Sequence, residues 1–76
     1  MVTIDFYTRK GCHLCESAEA QLIQLQREKP FTLQIHDIDE DEDLRGLYNL
    51  LVPVTVLPDG AEMHYRVDIP RLTKAL

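Results

Sequence analysis

The chain has 76 residues, of which 45% are hydrophobic and 28% charged, and its net charge is −5. That is room for one domain with one modest core, in the composition range of an ordinary soluble globular protein. The acidic balance argues against nucleic acid and anionic membrane as partners, because both call for a basic face, and no apolar run approaches bilayer-spanning length.

Met1-Val2-Thr3-Ile4-Asp5 shows no basic region followed by an apolar one, so a cytoplasmic location without a secretory leader is expected. Val2 to Tyr7 is rich in β-branched and aromatic residues and predicts a buried strand. Thr8 to Gly11 reads as a loop. From Cys12 to Lys29 the period turns helical: Leu14, Ala18, Leu22 and Leu25 share a stripe, Glu16, Gln24 and Arg27 lie off it, and Pro30 stops the helix.

Phe31, Leu33 and Ile35 alternate with Thr32, Gln34 and His36, the pattern of a half-buried strand near a sheet edge. The acidic run Asp37 to Asp43 predicts a loop and a helix N-terminus, where negative charge is favourable; Leu44, Leu47, Tyr48 and Leu51 continue with helical spacing. Val54 to Leu57 is a further strand. Pro58-Asp59-Gly60 marks a turn, and the alternation of Ala61 to Val67 completes a hairpin. Asp68 is placed to cap a last helix, with Pro70 in its first turn and Ile69, Leu72 and Leu76 along one stripe. The order β-α-β-α-β-β-α over residues 1–76 predicts a single α/β domain: a four-stranded mixed sheet with a right-handed βαβ crossover, a closing antiparallel hairpin and helices on both faces.

Both cysteines of the chain fall in Arg9-Lys10-Gly11-Cys12-His13-Leu14-Cys15. Two cysteines are too few for a disulfide-stapled scaffold, and the bland alternative is a pair of small hydrophobes three apart. Their place is informative. Cys12 stands where a strand has ended and a helix begins, so free backbone N–H groups and the helix dipole stabilise a thiolate there. Such a site lowers a thiol pKa from about 8.5 into the range of roughly 3.5–7.5. Arg9, Lys10 and a protonated His13 add positive charge. Cys15 lies one turn on, on the same face, and can close a small disulfide ring. A division of labour follows, with Cys12 attacking a substrate disulfide and Cys15 resolving the mixed disulfide. His13 is read equally well as a tuner of the thiolate or as a solvent-facing side chain.

A structural zinc site needs four ligands, and His13, His36 and His64 are not spaced to complete one with the cysteines. A c-type haem attachment needs His after the second cysteine, where Glu16 stands. Asp37, Asp39 and Asp41 alternate like the start of a calcium loop, but Glu42 stands where such a loop needs Gly and Tyr48 where it needs Glu. No metal site is therefore expected, and these carboxylates read as helix caps. Asp5 reads as a carboxylate on a partly exposed strand face, with proton acceptance from Cys15 as the functional alternative. His36 and His64 read as exposed strand residues, Tyr7 and Tyr48 as core or rim aromatics.

A strand ending in Tyr7-Thr8-Arg9-Lys10-Gly11, followed by Cys12-His13-Leu14-Cys15 opening a helix, resembles the glutaredoxins and thioredoxins. Leu51-Val52-Pro53-Val54 resembles their loop in which a cis-proline precedes the third strand, and Asp37-Ile38-Asp39 with the short last helix resembles a small bacterial glutaredoxin-like group. The resemblance implies a thioredoxin-like fold with sheet order 2-1-3-4 and an antiparallel fourth strand, a cis Val52–Pro53 bond beside the cysteines, and a backbone at Val52 that pairs with the substrate chain. It implies a redox-active dithiol serving electron transfer and cell redox homeostasis, with no bound cofactor and with glutathione as a possible co-substrate. Arg9 would occupy the position that meets the glutathione carboxylate. Two departures weaken the glutathione part: Leu14 replaces an aromatic residue, and Arg66-Val67-Asp68 stands where glutaredoxins carry Gly-Gly.

The site expected is thus Cys12 and Cys15, with Arg9, Lys10, His13, Val52 and Pro53 contacting substrate. The expected partners are a disulfide-bearing protein or small molecule and an electron donor, either glutathione or a reductase, with the chain a monomer. Two other functions stay open. A soft-metal carrier for copper also places C-x-x-C between first strand and first helix, but has βαββαβ order and commonly Met where Lys10 stands. A thioredoxin-fold binding module would use its disulfide little.

Overall fold

The computed structural model describes residues 1–76. The elements are β1 (Thr3–Thr8), α1 (His13–Glu28), β2 (Thr32–Asp37), a 3₁₀ turn (Ile38–Glu40), α2 (Glu42–Tyr48), β3 (Val54–Val56), β4 (Glu62–His64) and α3 (Ile69–Ala75). The sheet order is β2-β1-β3-β4. β1 and β2 are parallel, β3 runs against β1, and β4 runs against β3. The counter-running strand of the sheet is therefore β3; β4 is antiparallel to its neighbour and points the same way as β1.

The alternation of β1 separates two faces. Ile4 and Phe6, both fully buried, meet Ala18, Leu22 and Leu25 of α1, Leu72 of α3, and Phe31, Leu57 and Met63 in one apolar cluster. Each fully buried large side chain there contributes on the order of 2 kcal/mol. Asp5 and Tyr7 point to the other face, where α2 lies: the ring of Tyr48 sits 4.7 Å from that of Tyr7, and its hydroxyl donates to Glu62 Oε2 at 3.0 Å. Helices thus flank both faces, but unequally. No residue of α2 is fully buried; Leu47, expected on the helical stripe, is exposed, and so is Leu50 just beyond the helix. On that face Val54, fully buried, and Val56 of β3 stand in register with Tyr7 and Asp5, flanked by His36 and Gln34 of β2 and by His64 and Glu62 of β4.

Local signals act as the sequence suggests. Asp41 caps α2 by accepting from the N–H groups of Asp43 and Leu44, and Asp68 caps α3 by accepting from that of Arg71. At the hairpin, Gly60 N–H donates to Leu57 O at 2.9 Å, and Gly60 takes the left-handed φ of 90° that glycine adopts without a Cβ clash. β4 is shorter than its alternation predicts. It ends at His64 because Tyr65 turns into the left-handed region, with φ of 68°.

Candidate redox site

The two cysteines sit where β1 hands over to α1. Gly11, at φ 77°, turns the chain into the helix, and Cys12 is its N-cap residue. The Cys15 N–H donates to Cys12 Sγ at 3.1 Å, so sulfur takes the place that a Ser or Asp oxygen usually fills. A negative sulfur at that point gains from the free N–H groups of the first turn. Cys12 and Cys15 are joined in a disulfide with Cα atoms 5.2 Å apart. Cys15 is only 1% exposed and Cys12 half-buried, so one sulfur is reachable and the other packs inward.

The register brings a second segment to the same end of the sheet. Tyr7 pairs with Val54, so the residues after β1 and those before β3 emerge side by side. The Val52–Pro53 bond is cis, as the resemblance implies. Pro53 is buried, Val52 half-buried. The N–H and C=O of Val52 are hydrogen-bonded to no other group of the chain, whereas Leu51 N–H donates to Tyr48 O and Pro53 O accepts from Tyr65 N–H.

Arg9 is engaged elsewhere. Its Nη2 and Nε donate to the Asp39 carboxylate at 2.6 and 3.2 Å, and its Nη1 donates to Oδ1 and the backbone O of Asn49 at 2.8 and 3.2 Å. These bonds raise the Arg9 pKa and hold the Asp39 carboxyl below its ordinary value. All three guanidinium nitrogens are thereby used in joining the loop before Cys12 to the 3₁₀ turn and to the end of α2. Lys10 is exposed and lines, with Arg9, a cleft of about 360 Å³ that also contains Glu16, Glu19 and Asp37. The His13 side chain is 99% exposed, with Nδ1 3.7 Å from Glu16 Oε2, the solvent-facing alternative of its two readings. Leu14 is half exposed.

Asp5 belongs to the face opposite α1, away from Cys15, and hydrogen-bonds His36 Nε2 at 2.9 Å. His36 stacks on Tyr7 with ring centroids 4.7 Å apart. His64 Nε2 lies 2.9 Å from Glu62 Oε1. The two histidines, expected as plain exposed strand residues, are each tied to a carboxylate. No group of three or more His, Cys, Asp or Glu residues is gathered as metal ligands. Three residues of the site region escape sequence reasoning: Asp39, Asn49 and Tyr65. Their parts depend on contacts 12 to 40 residues away, and no local pattern announces them.

A four-stranded mixed sheet in the order β2-β1-β3-β4, three helices, and a C-x-x-C pair at the start of the first helix define a protein of thioredoxin-like fold. The chain belongs to the glutaredoxin-like domain family (DUF836), whose profile matches residues 3–76. Protein Ne2328 from Nitrosomonas europaea, solved by NMR, is similar at 38% identity with a TM-score of 0.80, over 99% of this chain and 91% of that one. The X-ray structure of protein XcR50 from X. campestris is similar at 35% identity with a TM-score of 0.75, over 93% and 91%. Thioredoxin 1 from Thermosipho africanus shares the fold at 12% identity with a TM-score of 0.71, over 96% of this chain and 88% of that one. No curated protein matches the chain in sequence. The fold and the cysteine pair fit a redox role. No helix is long and apolar enough to cross a membrane.

Proposed function

We propose that the protein is a dithiol–disulfide oxidoreductase. The observation that carries this is the disposition of the two sulfurs: Cys12 is reachable and capped by the Cys15 N–H, and Cys15 is buried one turn behind it.

In the reduced protein, the Cys12 thiolate attacks one sulfur of a substrate disulfide. A Cys12–substrate disulfide forms, and the other substrate sulfur leaves as thiolate and takes up a proton. Cys15, losing its proton, then attacks Cys12 Sγ. The Cys12–Cys15 disulfide forms and the second substrate sulfur leaves as a thiol. Two electrons pass from the dithiol to the substrate, and a thiol donor, glutathione or the dithiol of a reductase, returns them by the reverse exchange. Burial of Cys15 keeps it from competing for substrate, while its place on the same face keeps it within reach of Cys12. Val52, with free backbone groups, would pair with the substrate chain, and Lys10 would meet its charge.

The element order supports redox exchange over copper carriage, which goes with βαββαβ. The test is Cys12→Ser and Cys15→Ser in a disulfide-reduction assay. Cys12→Ser should abolish turnover, and Cys15→Ser should accumulate a substrate mixed disulfide on Cys12. A wild-type pair that does not oxidise at potentials of roughly −300 to −200 mV refutes the proposal. Stoichiometric Cu(I) binding without turnover assigns the pair to metal carriage.

A further inference from the structure

Tyr65 is the one non-glycine residue at positive φ, 68°. An aromatic residue rarely adopts that conformation, and it persists only where surrounding contacts enforce it. The contacts here are two. The Tyr65 N–H donates to Pro53 O at 2.8 Å, and the Tyr65 hydroxyl donates to Leu50 O at 3.0 Å. One residue therefore grips the loop before β3 on both sides of Val52, whose own N–H and C=O are left unpaired. The residue is 46% exposed, so burial in a core does not explain its retention there. It lines a cleft of about 400 Å³ together with Leu14, Ala18 and Val67. Leu14 lies between the two cysteines in the chain, so the cleft borders the helical turn that carries them.

We propose that Tyr65 is the positioning and selectivity residue of the exchange site, strapping residues 50–53 so that Val52 stays open to an extended polypeptide, and that the substrate is a peptide or protein disulfide rather than a small aliphatic one. The inference rests on disulfide exchange at Cys12. The free N–H and C=O of Val52 offer the pair of main-chain bonds that an extended chain takes when it adds to a sheet edge. A small disulfide has no backbone to pair there. The cleft between Leu14 and Tyr65, which Ser17, Gln21 and Arg66 also line, receives a side chain beside the substrate cysteine. When the strap is lost, Val52 no longer sits in one fixed conformation, and each incoming chain must order it.

The test compares wild type, Tyr65→Phe and Tyr65→Gly. The reduced proteins are mixed with a disulfide-linked dimer of a short peptide carrying leucine beside its cysteine, or with hydroxyethyl disulfide. Tyr65→Phe keeps the ring and removes only the bond to Leu50 O. It should raise the peptide concentration for half-maximal rate by about five-fold, the cost of one net hydrogen bond, with a limiting rate within about two-fold. The loss on hydroxyethyl disulfide should be smaller. Tyr65→Gly should lower the peptide preference further. Equal losses on both substrates, or no loss on either, overturn the proposal. Amide exchange separates this from failure of the redox role. With or without turnover, the Leu51 and residue-65 amides should exchange faster in Tyr65→Phe, and unchanged exchange refutes the strap. A wild type that reduces neither disulfide refutes the oxidoreductase assignment and the peptide selectivity built on it.

Discussion

Arg9 reaches thirty positions along the chain to Asp39, its Nη2 2.6 Å from Oδ1. The same guanidinium holds Asn49 at the end of α2, three residues before Val52. One side chain thus ties the loop that carries Cys12 to the segment that leads into the Val52–Pro53 bond. Surface ion pairs usually contribute little to stability, but a forked guanidinium on a carboxylate fixes geometry as well. Arg9→Lys keeps the charge and loses the fork. It is expected to slow disulfide exchange at Cys12 by a few-fold with little change in melting temperature, and Arg9→Ala should slow it further. Equal melting curves and equal exchange rates in all three proteins would show that the clasp positions nothing.

The same pair sets an acid dependence. The bond from Arg9 holds the Asp39 carboxyl below its ordinary 3.8. A depressed folded-state pKa contributes stability that is present above the unfolded value and is lost as pH falls through the folded one. The contribution should therefore be intact at pH 5 and fade below about pH 4. Asp39→Asn should lower the melting temperature at pH 6 and flatten its fall between pH 4 and pH 2, as followed by circular dichroism. A parallel fall in both proteins would assign the acid sensitivity elsewhere.

The burial of the two sulfurs has a direct consequence. Cys12 is half-buried and Cys15 only 1% exposed. In the reduced protein at pH 7, iodoacetamide should alkylate Cys12 and leave Cys15 unmodified over the same interval, read by peptide mass analysis. Equal labelling would mean that reduction opens the first turn of α1, and the division of roles between the cysteines would then lose its basis.

What the sequence made legible was local. The strand-to-helix switch at Cys12 shows in a change of hydrophobic period, the caps Asp41 and Asp68 show in residue type, and Pro58-Asp59-Gly60 announces its turn. The fold followed from element order together with the family resemblance. The hidden features depend on partners distant in sequence. Ala61, Met63, Tyr65 and Val67 alternate as one strand would, yet the strand stops at His64 because Tyr65, held by Pro53 O and Leu50 O, turns into the left-handed region. Leu47 carries helical spacing with Leu44, Tyr48 and Leu51, yet it is exposed, because α2 rests on the sheet through the ring of Tyr48. His36 looks free until β1 and β2 are placed in register, when Asp5 comes within 2.9 Å of it, whereas Glu62 and His64 meet two residues apart on one face of β4. Arg9 has the residue type of an anion-binding position, and only the fold shows that it also clasps Asp39 and Asn49.

The core on the other face gives a stability test independent of redox chemistry. Leu22 is fully buried between α1 and the sheet, among Ile4, Phe6 and Leu72. Truncating it leaves a cavity in a small core. Leu22→Ala is expected to cost about 2–5 kcal/mol, a large share of the roughly 5 kcal/mol of net stability a domain of this size holds. Urea unfolding of the oxidised protein measures it. A loss under about 1 kcal/mol would mean that the site collapses to fill the space.

At the alkaline end the controlling group is Tyr48. Its hydroxyl donates to Glu62 Oε2 while its ring rests on Tyr7, and its pKa is pushed up to about 12, first by burial and then by that hydrogen bond. Tyr7 is raised as well, by burial and by the charges of Asp5 and Glu62. A raised folded-state pKa contributes stability that is complete below the unfolded value and is lost as pH rises through the folded one. The oxidised protein should therefore hold its stability to about pH 10 and lose it between about pH 10 and pH 12. Tyr48→Phe removes the hydroxyl and keeps the ring. At pH 7 it should cost at most about 1 kcal/mol, because the bond is exposed, and it should lessen the alkaline loss without abolishing it, since Tyr7 still titrates. If Tyr48→Phe and wild type fall in parallel above pH 10, the bond to Glu62 does not hold α2 against the sheet, and stacking on Tyr7 alone keeps it there.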